Sequence, residues 1–145
     1  MTDEQRYLFD LQGFIVVPEV LRPEEVARLN AIIDEMNLWE VGERTDSSHV
    51  NRYKMHTGPV LEWGQEFRAL ISDPRLFPYL RALLGDTCRL DHEYAILARK
   101  GASDLNLHGG GTPYDPSQYY HYRNERMYCG LTVFSWQLTD SGGAH

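Results

Sequence analysis

Apolar residues recur at helical spacing over roughly the first 86 positions and at alternate positions beyond them, with no Ser-rich or Gly-rich linker marking the change. Thr2-Asp3-Glu4-Gln5 is a capping-box pattern, in which the Thr hydroxyl and the Gln side chain satisfy each other's backbone donors. It predicts a short helix ending before Gly13, followed by a strand-like Phe14-Ile15-Val16-Val17 that runs into Pro18. Pro23 with Glu24 and Glu25 suits a second helix start, through fixed φ and through negative charge at the positive end of the helix dipole. Val26, Leu29, Ile32, Ile33 and Met36 then mark a buried face and leave Arg28, Asn30 and Glu35 to water.

Residues 39 to 63 show no clear period and read as an irregular covering segment containing Trp39, Arg52, Lys54, His56 and Trp63. A second helical region spans 65 to 84. It breaks at Asp73-Pro74, where Asp as N-cap and Pro in the first turn restart a helix with Leu76, Phe77, Leu80, Leu83 and Leu84 as its apolar face. Pro78, past that expected first turn, removes a backbone donor and counts against the helix. Gly85 is placed to end it in a left-handed conformation.

From Cys88 the period becomes two. Cys88, Leu90, His92, Tyr94, Ile96 and Ala98 point one way and Arg89, Asp91, Glu93 and Arg99 mostly the other, as in a long half-buried strand. A second strand over Tyr128 to Leu138 carries large residues on both faces, Leu131 and Val133 on one and Phe134, Trp136 and Leu138 on the other, and is expected to be covered on both sides. The reading is α+β, a single domain over 1–145, with 1–86 a mainly helical cover.

Composition narrows the function classes. The 145 residues include three Trp, nine Tyr and five Phe, too much packable surface for a disordered chain. No apolar run approaches the roughly 18 residues of a membrane span, and the start has no signal-peptide character, so the expected compartment is cytoplasmic. Lys plus Arg number 14 against 21 Asp plus Glu, a net charge of −7, and no basic stripe marks a nucleic-acid or membrane surface. Cys88 and Cys129 match no zinc or redox spacing and read as buried reduced thiols.

The chemistry concentrates in the loop between the two strands, Leu105-Asn106-Leu107-His108-Gly109-Gly110-Gly111-Thr112-Pro113-Tyr114-Asp115. A histidine closing an apolar run before three glycines has its imidazole held by the strand with open space beyond it. That suits a metal ligand, although from pattern alone a His beside a Gly turn is more often a hydrogen-bonded turn residue. His92, between Leu90 and Tyr94, reads as a satisfied core histidine, and its neighbour Glu93 points to the opposite face, so the two do not share a metal. His49, His56 and His121 have no identifiable partner; Tyr114, Tyr119, Tyr120 and Tyr122 either pack the loop or line a substrate mouth.

With Gln12-Gly13-Phe14-Ile15-Val16-Val17, the Pro23 helix, the Leu76-to-Leu84 helix, the strand into Lys100, the His108 loop and Leu131-Thr132-Val133-Phe134-Ser135-Trp136-Gln137-Leu138, the sequence resembles the phytanoyl-CoA dioxygenase family. The resemblance implies an Fe(II)- and 2-oxoglutarate-dependent oxygenase on a double-stranded β-helix, a cupin-like jelly roll, that uses O₂ to hydroxylate an aliphatic C–H bond of a small-molecule substrate. In such sites a His-x-carboxylate pair and a distal His hold one face of iron. By this resemblance His108 is the first metal ligand, Lys100 pairs with the 2-oxoglutarate carboxylate, with Arg99 a register shift away, and Trp136 lies beside the cosubstrate or in the core.

The sequence departs from the pattern twice. Gly110 stands where the carboxylate belongs. Related halogenases share that His-x-Gly pattern and bind a halide at the vacated position; alternatively Asp115 supplies the oxygen, or iron has been lost and the protein is a non-catalytic jelly-roll binding protein. After Trp136 the chain runs through Gly142-Gly143 to His145, which directly follows the turn and precedes the strand that should present the distal His. The resemblance therefore implies an incomplete jelly roll, the N-terminal part of a longer oxygenase, with Tyr128 to Leu138 an exposed apolar edge and little or no activity alone.

Overall fold

The computed structural model describes residues 1–38, 54–102 and 117–140. The chain divides into two units, each assembled from separate stretches. One comprises Met1–Val20, Asp73–Arg89 and Leu107–Trp136, the other Leu21–Ser72, Leu90–Asn106 and Gln137–His145. Among the described residues they carry four α-helices and two small antiparallel ladders, an α+β composition. No helix among the described residues is long and apolar enough to cross a membrane.

The first unit opens with α1, Asp3–Gln12. Its capping box forms as the sequence predicts: the Gln5 amide donates to Thr2 Oγ1 at 3.1 Å and the Thr2 amide to Gln5 Oε1 at 2.9 Å. Gly13 closes the helix in the left-handed region, its amide donating to the Phe9 carbonyl. Phe14 to Val17 forms no strand; Phe14 and Val16 are exposed. The next helix of this unit, α4, spans Phe77–Leu84 and begins three residues beyond the expected Pro74 start. Asp73 does not cap it. Its carboxylate is buried and accepts from the Arg75 amide and Nε, both at 2.9 Å, while the same guanidinium also reaches the Val20 carbonyl. The later start puts Pro78 within the first turn, where its missing N–H costs no helical bond. Leu83 is the buried residue of α4, and Gly85 ends it at φ +85° with an extended ψ of −172° instead of the expected left-handed turn.

The same unit contains a hairpin, β3 (His121–Arg123) and β4 (Arg126–Tyr128), in the register His121↔Tyr128, Tyr122↔Met127, Arg123↔Arg126. Asn124 and Glu125, at φ +53° and +59°, form the two-residue turn. The Cys129 amide then donates to the Leu83 carbonyl at 3.3 Å, fastening the hairpin's exit to α4. Tyr120 donates its hydroxyl to the Asp10 carboxylate of α1.

The second unit contains α2, Pro23–Glu35, with Pro23 and two glutamates in its first turn as predicted and Leu29 buried. Asn30, expected in water, is half-buried and donates to the Leu138 carbonyl at 2.7 Å. Arg28 remains exposed and donates to Glu66 at 2.8 Å, tying α2 to α3 (Gln65–Ile71). The Glu66 backbone amide and the Arg28 guanidinium together hold the Glu66 carboxyl below the usual range. Phe67 of α3 is buried with Trp63 edge-on at 5.2 Å, the latter from a 3₁₀ turn at Val60–Trp63.

The stretch read as irregular covering is partly regular. Lys54–Thr57 forms β1, paired antiparallel with β2, Ala95–Ala98, from Thr57↔Ala95 to Lys54↔Ala98. The long strand expected from Cys88 is thus four residues. Beyond Thr57 the partner chain becomes Gly58-Pro59, and Pro59 has no N–H to extend the ladder. Glu93 turns away from the ladder and its carboxylate accepts the Val60 amide at 2.6 Å. Along 93–98 it is Glu93, Ala95 and Leu97 that are half-buried, while Tyr94, Ile96 and Ala98, with Leu90 and His92 before them, are exposed. The more apolar face of the alternation is the outer one. Among the described residues no jelly roll is formed, and the ladders are two-stranded.

Candidate functional site

The three residues singled out by sequence have different settings. Lys100 lies past the end of β2, in a turn closed by the Ala102 amide donating to the Arg99 carbonyl at 3.0 Å. Gly101 takes φ +92°, which a type II turn requires at that position. The turn, and not a strand end, therefore carries Lys100, and its side chain is exposed. It belongs to the second unit.

Trp136 belongs to the first unit and lies in an extended, unladdered run after β4. Thr132, Phe134 and Trp136 are half-buried there and alternate with exposed Leu131 and Val133. The expected covering of both faces holds for one only. The run is anchored at Gly130, where an added Cβ would stand 2.3 Å from the Ser117 carbonyl oxygen, so the chain passes directly against the backbone at 117–118.

His108, the proposed metal ligand, lies outside the described residues, as do Gly110, Asp115, His145 and His49. The histidines that are described serve other purposes. His92 is exposed, not a core residue; its Nδ1 is 2.8 Å from the Asp91 carboxylate and its ring stacks on Tyr94 at 5.7 Å. His121, without a partner in sequence, stacks on Tyr128 across the hairpin at 5.0 Å. His56 is at the β1 register position opposite Ile96. The cysteines are free as expected but not buried: Cys88 is exposed and Cys129 half-buried, with burial pushing the Cys129 thiol up. No group of three or more His, Cys, Asp or Glu side chains is assembled among the described residues. The described residues alone do not make a metal site.

A shallow cleft of about 360 Å³ lies within the second unit, lined by Val26 of α2 and by Gln137, Leu138, Thr139 and Asp140. The Asn30 bond to the Leu138 carbonyl holds that segment against α2. These lining residues were not legible as a group. The available signal was the polar pattern Gln-Leu-Thr-Asp directly after Trp136, which has no period of its own.

No family model matches the chain, and no curated protein matches it. Among solved structures it is similar to HygX from Streptomyces hygroscopicus, determined with nickel and 2-oxoglutarate bound. The TM-score is 0.68 at 26% identity, over 89% of this chain and 51% of that one. This chain spans about half the length of that protein and shares the fold of the part it spans.

Proposed function

We propose that this chain contributes to an Fe(II)- and 2-oxoglutarate-dependent oxygenase of the jelly-roll type that acts on a small organic substrate with O₂. The observation that carries the reading is the similarity to HygX over 89% of the chain, since that structure holds both 2-oxoglutarate and nickel, a divalent ion that accepts ligands of the kind Fe(II) accepts. The phytanoyl-CoA dioxygenase family, a single domain over 1–145 and the double-stranded β-helix are the finer parts of the same proposal.

In this reading His108 supplies an imidazole to the metal, Lys100 a cation for a 2-oxoglutarate carboxylate, and Trp136 a flat apolar surface beside the cosubstrate. The exposed ammonium of Lys100 suits its role, because an anion reaches it without a desolvation penalty on the empty site. The bound metal and cosubstrate would supply O₂ activation; the chain's residues bind and orient. Gly110 favours a second reading, halide coordination with halogen transfer in place of hydroxylation. The same glycine is compatible with a binding protein that has dispensed with iron.

Anaerobic titration of the whole oxygenase to which the chain contributes, with Fe(II) and 2-oxoglutarate, tests the proposal through the metal-to-ligand charge-transfer absorbance. The expected result is a band lost in His108→Ala and a 2-oxoglutarate affinity weakened about 10-fold or more in Lys100→Ala, the loss of one charge-assisted contact. Absence of the band, or a band indifferent to His108→Ala, overturns the oxygenase reading in favour of the iron-free binding protein. Chloride-dependent change in the band distinguishes the halide reading.

A further inference from the structure

The β3–β4 hairpin carries two features that oppose its own stability, and both are at its tip. Arg123 stands directly opposite Arg126 in the ladder. Opposed residues of an antiparallel pair project from the same face with Cβ atoms about 5 Å apart, and like charges so placed repel. Among the described residues neither guanidinium is in an ion pair, Glu125 of the intervening turn included. That turn is itself unfavourable: both central residues have positive φ, and the second is Glu125 at +59°, where glycine is the residue of choice.

On the same face, one step from the arginines, His121 and Tyr128 stack with rings 5.0 Å apart and 9° from parallel. All four side chains are exposed. The face therefore offers two adjacent guanidinium forks bordered by an aromatic pair, on a chain whose net charge of −7 otherwise repels anions.

From this juxtaposition we infer that the hairpin face is a binding site for a small phosphate monoester, gripped by Arg123 and Arg126 with its organic part against His121 and Tyr128. One arginine satisfies both oxygens of a carboxylate. Two forks at opposed positions of one face match a group with three terminal oxygens and close to two negative charges, and its arrival offsets the arginine repulsion. The acidic net charge argues against an extended polyanion and confines the ligand to a small molecule. The inference is independent of the oxygenase reading, because none of the four residues is assigned to metal or 2-oxoglutarate.

Calorimetric titration of the 145-residue chain with phenyl phosphate, inorganic phosphate and benzoate tests it. Phenyl phosphate is expected to bind saturably, more tightly than inorganic phosphate, which lacks the ring, and about 10-fold or more tightly than benzoate, which lacks the third oxygen and second charge. Arg123→Gln and Arg126→Gln should each weaken phenyl phosphate about 10-fold or more. Neither variant should unfold at lower urea concentration than the original chain, because each removes a like-charge contact. A purely structural arginine pair would show the opposite, a lowered urea midpoint with no ligand effect. Failure of phenyl phosphate to bind saturably, or binding that both substitutions leave unchanged, overturns the site. Equal affinity for inorganic phosphate and phenyl phosphate overturns the role of His121 and Tyr128.

Discussion

At Gly130 a methyl group would stand 2.3 Å from the Ser117 carbonyl oxygen and 2.6 Å from two further backbone atoms, none of them the movable end of a side chain. Gly130→Ala must push two chain segments apart, and a loss of about 1–3 kcal/mol in urea unfolding is expected. Gly13 is the useful comparison. Nothing lies within 4 Å of its Cβ position, so Gly13→Ala meets only the left-handed φ of +79° and should cost about 1 kcal/mol. The cysteines separate in the same local way. Burial favours the neutral Cys129 thiol, so at about pH 8 iodoacetamide should label exposed Cys88 ahead of it. With the folded pKa raised, stability is intact below the ordinary thiol pKa and declines as pH rises from there through the folded value. Cys129→Ala should flatten that alkaline decline in a pH series of urea midpoints.

The elements differ in how much of each was local. α1 carries its start in Thr2 and Gln5 and its end in Gly13, all within hydrogen-bond reach along the chain, and it forms as read. α4 starts at Phe77, three residues later than expected, and the Asp73 carboxylate is bound by the Arg75 guanidinium, which also grips the Val20 carbonyl, distant in sequence. The β3–β4 turn is the reverse case, a local signal too weak to notice: Asn124 suits a left-handed position, but Glu125 does not. Glu125→Gly should stabilise the hairpin by about 1 kcal/mol, measured as a raised urea midpoint with the cross-strand pairing retained. A fall instead would mean that the Glu125 side chain contributes something its position does not reveal.

For the molecule as a whole, the informative measurement is stabilisation by ligand. Any ligand that binds the folded chain alone raises the unfolding midpoint, by about 2.7 kcal/mol of stability at a hundredfold excess over Kd. In the whole oxygenase to which the chain contributes, nickel with 2-oxoglutarate should raise the unfolding midpoint, and His108→Ala should remove the effect while leaving the midpoint of the ligand-free protein nearly unchanged. The buried apolar side chains among the described residues are Leu29, Phe67 and Leu83, while Tyr94, Ile96, Leu131 and Val133 are exposed.

Short-range chemistry was legible in the residues alone: the capping box at Thr2, the Pro23 helix start, the break at Asp73-Pro74, and the change from a period of 3.6 to a period of 2. The sequence also drew attention to His108, Lys100 and Trp136 through the family resemblance, since a motif is a spacing. Which face of an alternating segment is inward is settled in three dimensions, because a period of two has no sign of its own and what packs against the face supplies it. Hence Leu97 is half-buried and Ile96 is not. Only the tertiary structure decided that Asn30 leaves the water for the Leu138 carbonyl, 108 residues away, and that two arginines three positions apart in sequence stand face to face. Contacts of that reach are set by where the chain returns, and composition and periodicity carry no record of it.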